Sequence, residues 1–216
     1  METKNFNWMK TKKAAAFTLI ELLVVIAIIA ILASLIVGLA GRAADAKKKA
    51  RVRTELAQLE TAIDSYKEKK GFYPPSNGNT NNAVTNQLFY ELSGTVFDGT
   101  DEFRPLTGND PIKANAINSF FNTQGFANSS ADKSEVKSFF PAMKSSQFQE
   151  IVSTPNEVEL MVVPVEGPDD IVAQSGRKIN PWRYNSLSPT HNPDSYDLWA
   201  EIVVGGKTNI IGNWKE

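Results

Sequence analysis

One carboxylate stands where a carboxylate is costly. From Phe17 to Ala40 the chain reads FTLIELLVVIAIIAILASLIVGLA, and Glu21 is the only charged side chain in it. A charge at membrane depth costs at least about 2.5–3.5 kcal/mol, so such groups are usually paired or functional. The plainer reading is a tolerated polar group at the interfacial end of a span. Few other residues suggest chemistry. The single histidine, His191, lies in the turn-like stretch SPTHNPDS and reads as a solvated polar residue. Asp194 and Asp197 could form an acid pair, but beside prolines and a strand start they read as turn and strand-edge residues. There is no cysteine, which excludes disulfides and thiolate metal sites. No catalytic constellation appears, and the chain is not expected to be an enzyme.

Glu21 must be carried by a long helix. The 24 residues from Phe17 to Ala40 contain no proline. As a helix they extend about 36 Å, enough for a bilayer core of about 30 Å. A secretory signal peptide would have a shorter apolar core, of about 7–15 residues. The helical pattern continues through GRAADAKKKARVRTELAQLETAIDSYKEKK, where Val52, Leu56, Leu59, Ile63 and Tyr66 fall along one face. Lys67, Lys69 and Lys70 suit a helix C-terminus, Gly71 suits its end, and Pro74-Pro75 prevents continuation. The spacing therefore predicts one helix over 17–70, apolar all round in its first half and amphipathic in its second.

The net charge of −1 hides an asymmetry. Residues 1–16 carry four lysines and one glutamate, residues 41–70 nine basic and five acidic groups, and residues 71–216 ten basic and seventeen acidic. The stretch KKKARVR at 47–53 reads as a juxtamembrane strip facing anionic head groups or acidic neighbours, and nucleic acid is not an expected partner. By charge alone, this basic excess would keep the C-terminal side of the span in the cytoplasm.

The segment KKAAAFTLIELLVVIAIIAILASLI resembles the cleavage and methylation signature of type IV prepilins and type II secretion pseudopilins. The resemblance implies a cut between Ala16 and Phe17 by a prepilin peptidase, followed by N-methylation of Phe17. The family usually has Gly before the cut, and here Ala16 stands there. It also implies a cytoplasmic leader and a periplasmic remainder, against the charge rule, with assembly through an inner-membrane platform. Glu21 then lies four residues after a new amine whose ordinary pKa is about 7.7–8.0. In stacked subunits Glu21 of one copy can meet the Phe17 ammonium of another, which makes it a register device for a homopolymer containing other pseudopilins. Before assembly the same helix sits in membrane lipid.

NPWRYNSLSPTHNPDSYDLW at 180–199, the NW pair at Asn213-Trp214 and GFYPPS after the helix are similar to the major, G-type pseudopilin. That group binds calcium in an acidic loop after the YDLW-like strand. No carboxylate lies between Ile202 and Trp214 here, so the calcium site does not carry over and no cofactor is expected. The type IV pilins, and a periplasmic binding or enzymatic domain tethered by such a helix, are the alternatives.

The expected fold is α+β and pilin-like: a long N-terminal helix packed on a C-terminal antiparallel sheet, with an inserted helical and loop region. The expected organisation is a leader at 1–16, a membrane or fibre-core helix at 17–40, its amphipathic continuation at 41–70 and a periplasmic domain at 71–216. Within that domain, about 77–156 is the insertion and 157–216 the sheet. The stretch 76–86, SNGNTNNAVTN, reads as a polar loop. NNAVTNQLFYELSG, PIKANAINSFF and DKSEVKSFFPAMKSSQFQE read as helices. EVELMVVPVEG, DIVAQSG, NPWRYNS and YDLWAEIVVGG read as strands. The pairs Phe120-Phe121 and Phe139-Phe140 read as core.

Overall fold

The computed structural model describes residues 17–108, 110–153 and 156–215, without the side chains of 35–40, 152, 153 and 156. The leader 1–16, including Ala16 of the predicted junction, lies outside the described residues. One helix, α1, runs Leu19–Lys70. The chain divides into two compact units, Met1–Ala44 and Asp45–Glu216.

In the first unit, the described side chains of α1 are exposed all round. Leu19, Ile20, Ile26, Ile29 and Ile31 are each more than half exposed. Among the described residues no helix is long and apolar enough to cross a membrane. The described apolar side chains of α1 run only from Leu19 to Ser34, about 24 Å against a core of about 30 Å, and the predicted span continues into 35–40.

The second unit is mixed α+β. The α1 residues Val52, Leu56, Leu59, Ile63 and Tyr66 are all buried. They share one apolar cluster with Leu198, Ala200, Ile202 and Val204. Those four alternate along β8 (Asp197–Val204), as the two-residue period of a strand requires. β8 is the centre of a three-stranded antiparallel sheet, flanked by β7 (Arg183–Asn185) and β9 (Lys207–Gly212). Lys49 Nζ donates to Asn209 Oδ1 on β9 at 2.7 Å, adding a polar contact between α1 and the sheet. Each apolar side chain fully buried here contributes roughly 1.5–3 kcal/mol.

Between helix and sheet, the expected helical and loop region also contains strands. β1 (Thr95–Phe97), β2 (Glu102–Pro105), β3 (Ile112–Lys113) and β4 (Ser129–Ser130) form a sheet of order β3-β2-β1-β4, with β1 and β4 parallel. Strands of two to four residues are too short to show an alternation in sequence. Two helices remain, α2 (Leu88–Ser93) and α3 (Ala114–Phe121). The helical reading of NNAVTNQLFYELSG holds only over α2. The Asn86 amide donates to Ala83 O at 2.9 Å and to Trp182 O at 2.7 Å, so the preceding chain turns instead of coiling. Gly94 ends α2 at φ 80°, and a Cβ there would lie 2.6 Å from Val136 Cγ1.

The helix expected over DKSEVKSFFPAMKSSQFQE does not form. Asp132 Oδ1 accepts from Ser134 N, and Phe139 N donates to Leu92 O, which holds this stretch in turns. Its end becomes β5 (Phe148–Ser153), paired antiparallel with β6 (Asn156–Met161). DIVAQSG makes only an isolated bridge, Val172 to Lys178. Phe121, Phe139 and Phe140 are buried, while Phe120 is half-buried.

Candidate functional site

Helix α1 starts with a reciprocal cap. Glu21 Oε2 accepts from Thr18 N at 2.9 Å and from Thr18 Oγ1 at 2.6 Å, and Glu21 N donates to Thr18 Oγ1 at 3.3 Å. Thr18 and Glu21 thus form the capping box of pattern T-x-x-E, which satisfies donors that a helix N-terminus otherwise leaves open. The carboxylate also lies where the helix dipole favours a negative charge. This local partner went unnoticed in the sequence, although threonine three residues before glutamate at the head of an apolar run signals it. Phe17, directly before the cap, is 74% exposed. Any pairing of Glu21 with a second group competes with Thr18.

Within the second unit, the α1 stripe is fastened by a buried carboxylate that the sequence reading also missed. Glu91, on α2, is fully buried. Its Oε2 accepts from Tyr66 OH at 2.8 Å and from Asn128 N at 2.9 Å, and its Oε1 accepts from Ala127 N at 2.8 Å. Burial pushes the Glu91 carboxyl up to about 7, against those hydrogen bonds and the charge of Lys70. Lys70 Nζ donates to Ala127 O at 3.3 Å, so the last turn of α1 meets the same loop. After α1, Pro74 O accepts from Tyr184 OH at 2.7 Å and Ser186 Oγ at 2.8 Å.

The stretch 190–197 is organised by Asp197. Its Oδ2 accepts from Thr190 N and His191 N at 2.7 and 2.9 Å, and its Oδ1 accepts from Asn192 N at 3.0 Å. Burial works against the ionised form, yet the donors of His191, Thr190 and Asn192 outweigh it and hold the Asp197 carboxyl below its ordinary range. His191 is not a merely solvated residue. Its ring stacks on Trp214 with centroids 3.8 Å apart, and its Nδ1 lies 3.1 Å from Asp197 Oδ2. Asn213 Oδ1 accepts from Leu198 N, and its Nδ2 donates to Tyr196 O. Asp194 is not drawn into this cluster among the described hydrogen bonds. Glu201 faces Arg183 Nε at 3.2 Å. Arg183, almost fully buried, also pairs with Asp169.

No curated protein and no solved structure matches the chain. Residues 11–37 match one family model, the prokaryotic N-terminal methylation motif. That stretch contains Phe17, Thr18 and Glu21, so the capped start of α1 and its exposed apolar side chains as far as Ser34 lie within a prepilin-type methylation motif, which supports a likeness to type IV pilins and pseudopilins in this segment.

Proposed function

We propose that this protein is a pseudopilin, a structural subunit of a type II secretion-like periplasmic fibre, and not an enzyme. The observation that carries the reading is the methylation motif over 11–37, which spans the predicted junction as well as Glu21. Prepilin peptidase cuts between Ala16 and Phe17 and methylates Phe17. The helix 17–40 holds the subunit in the inner membrane as a single span, with the leader in the cytoplasm and residues 71–216 in the periplasm. An assembly platform then moves the subunit into a fibre of like subunits. The fold is pilin-like in this reading, supported by a helix whose amphipathic half shares its core with an antiparallel sheet. The likeness of 180–199 and Asn213-Trp214 to the G-type subunit favours secretion over a type IV pilus.

In the fibre, Glu21 leaves Thr18 and accepts the Phe17 ammonium of a neighbouring copy. The exchange is favourable because an unpaired ammonium in an apolar fibre core costs far more than an open cap. Calcium has no part in this function. The carboxylates near the corresponding loop are already engaged, Asp197 by backbone donors and Glu201 by Arg183, whereas calcium needs six to eight oxygen ligands.

Mass spectrometry of the N-terminal peptide from the membrane-extracted protein tests the reading. The expected result is a chain starting at Phe17 with one added methyl group. A chain starting at Gly41, directly after the small-residue stretch Gly38-Leu39-Ala40, means a signal peptide, and an intact leader means a simple anchor. Either overturns the proposal.

A further inference from the structure

We propose that the globular unit carries a binding site for a neutral oligosaccharide between the loop 77–82 and the C-terminal end of α3. A hollow of about 490 Å³ lies there, within the size range of small-ligand sites. None of its lining side chains is charged. A larger hollow of about 590 Å³ elsewhere in the unit is different, bordered by Arg51, Asp169 and Lys178 among others.

The lining has the chemistry that hydroxyl-rich ligands require. Asn79, Asn82, Asn118 and Asn122 each offer a side-chain amide, Thr80 adds a hydroxyl and Phe120 an apolar surface. An amide presents donors and an acceptor side by side, which matches neighbouring sugar hydroxyls that both give and take hydrogen bonds. A phosphate or carboxylate ligand would call for a cation, and the lining has none. Much of the bonding capacity is open. Among the described residues the Asn118 and Asn122 side chains make no hydrogen bond, and Asn79 and Asn82 use only their oxygens, toward Asn81 N and Thr85 N.

The frame of the hollow is fixed, so the backbone that carries these amides is set before any ligand arrives. The buried Asn77 amide donates to Thr85 O and to Phe120 O, and its Oδ1 accepts from Asn79 N at 2.8 Å. Gly78 N donates to Phe121 O at 2.8 Å. The loop lies so close to the helix end that a Cβ on Gly78 would come 2.4 Å from Asn122 O. Asn122 itself is the one non-glycine residue with positive φ among the described residues, at 52°. Asparagine takes this left-handed conformation readily where a helix ends. Here it closes α3, with Asn122 N donating to Asn118 O, and sets both residues at the mouth of the hollow.

The test is calorimetric titration of the full chain, held in lipid nanodiscs free of glycoside detergent, with chitotetraose, maltohexaose and cellohexaose. Tetraglycine and inorganic phosphate serve as comparison probes. Saturable binding of at least one oligosaccharide is expected, with Kd of about 1 mM or tighter. Asn118→Ala removes an amide with no structural bond, and Asn122→Gly keeps the left-handed backbone while removing its amide. Each should weaken binding about 2–10-fold, with an unchanged near-ultraviolet circular dichroism spectrum. No saturation by any of the three sugars overturns the proposal. So does sugar binding that neither substitution weakens, or tetraglycine or phosphate binding as tightly as the best sugar and being lost in the same variants. None of these outcomes bears on processing at Phe17, so this site and the fibre reading stand or fall separately.

Discussion

The two units of this protein place their charges in opposite ways. In the first, a single carboxylate sits at the head of an exposed apolar helix, held by one threonine. In the second, carboxylates are drawn inward and surrounded by donors, Glu91 by three and Asp197 by backbone amides of one loop. The first arrangement leaves an ion that can be handed to another molecule. The second uses buried carboxyl groups to fix internal geometry, because such a group without hydrogen-bond partners is far too costly to leave open. The proposed fibre subunit would need both, an exchangeable end and a body that keeps its shape.

The sharpest way to break this comparison is Glu21→Ala. The variant should still enter the membrane, since losing a charge eases insertion. Fibres sheared from overexpressing cells should disappear, because an unpaired buried partner costs about 3–5 kcal/mol in every repeat. Fibres in wild-type amounts would mean that Glu21 does no more than cap its helix.

Glu91→Ala should give the next largest effect, on folding rather than assembly. Tyr66 OH and the amides of Ala127 and Asn128 lose their acceptor together, and about 3 kcal/mol or more of stability should go with them. A domain of this size would then melt roughly 6–12 °C lower, measurable by near-ultraviolet circular dichroism. A change of only a degree or two would show that the cluster contributes little.

The same carboxylate predicts a pH dependence. Its folded value of about 7 lies above the ordinary 4.5. Between those values the folded chain keeps a proton that the unfolded chain gives up, so the contribution is fully present below pH 4.5 and is lost as pH rises through 7. The total is about 3 kcal/mol, at 1.36 kcal/mol per pH unit. Glu91→Gln should flatten the stability profile across this window, and an unchanged slope in that variant would assign the dependence to other groups.

Thr18→Ala should have a smaller effect, of about 1 kcal/mol on the first turn of α1. It should leave fibres intact, because it removes only the partner that Glu21 gives up. Loss of fibres in both Thr18→Ala and Glu21→Ala would trace the defect to the cap. Smallest of all should be the response to calcium. Melting in the presence of calcium and of chelator should agree within about 1 °C, against the roughly 2–4 °C that 1 kcal/mol produces in a domain of 150–250 residues.

Within the second unit, parts differed in how much could be read in advance. The stripe Val52, Leu56, Leu59, Ile63 and Tyr66 was visible because helical burial writes a period into the sequence, and all five side chains are buried. β8 was visible as a run rich in Tyr, Trp, Ile and Val bounded by turn residues, and its alternation appears only in the structure. Glu91 was not, since a buried carboxylate depends on Tyr66, Ala127 and Asn128 arriving from separate places in the chain. β9, with its sequence KTNIIG, lacks strong alternation and pairs only because β8 offers it an edge. Of the hollow beside α3 only the polar loop 76–86 was legible; the hollow itself was not, because it forms where that loop meets Asn118 and Asn122 from another part of the chain.

The fastening of α1 has a mechanical side. A subunit moved by its helix transmits tension into whatever holds that helix to the rest of the unit. Polar fasteners lie on that path, among them Tyr66 to Glu91 within α1 and Pro74 to Tyr184 and Ser186 just after it. They engage α2 and the end of β7 at the C-terminal end of the apolar stripe, so a load is shared between hydrogen bonds and the whole packed face. Bonds that act together must yield together, and such a joint resists traction better than the strength of any one of its members would indicate.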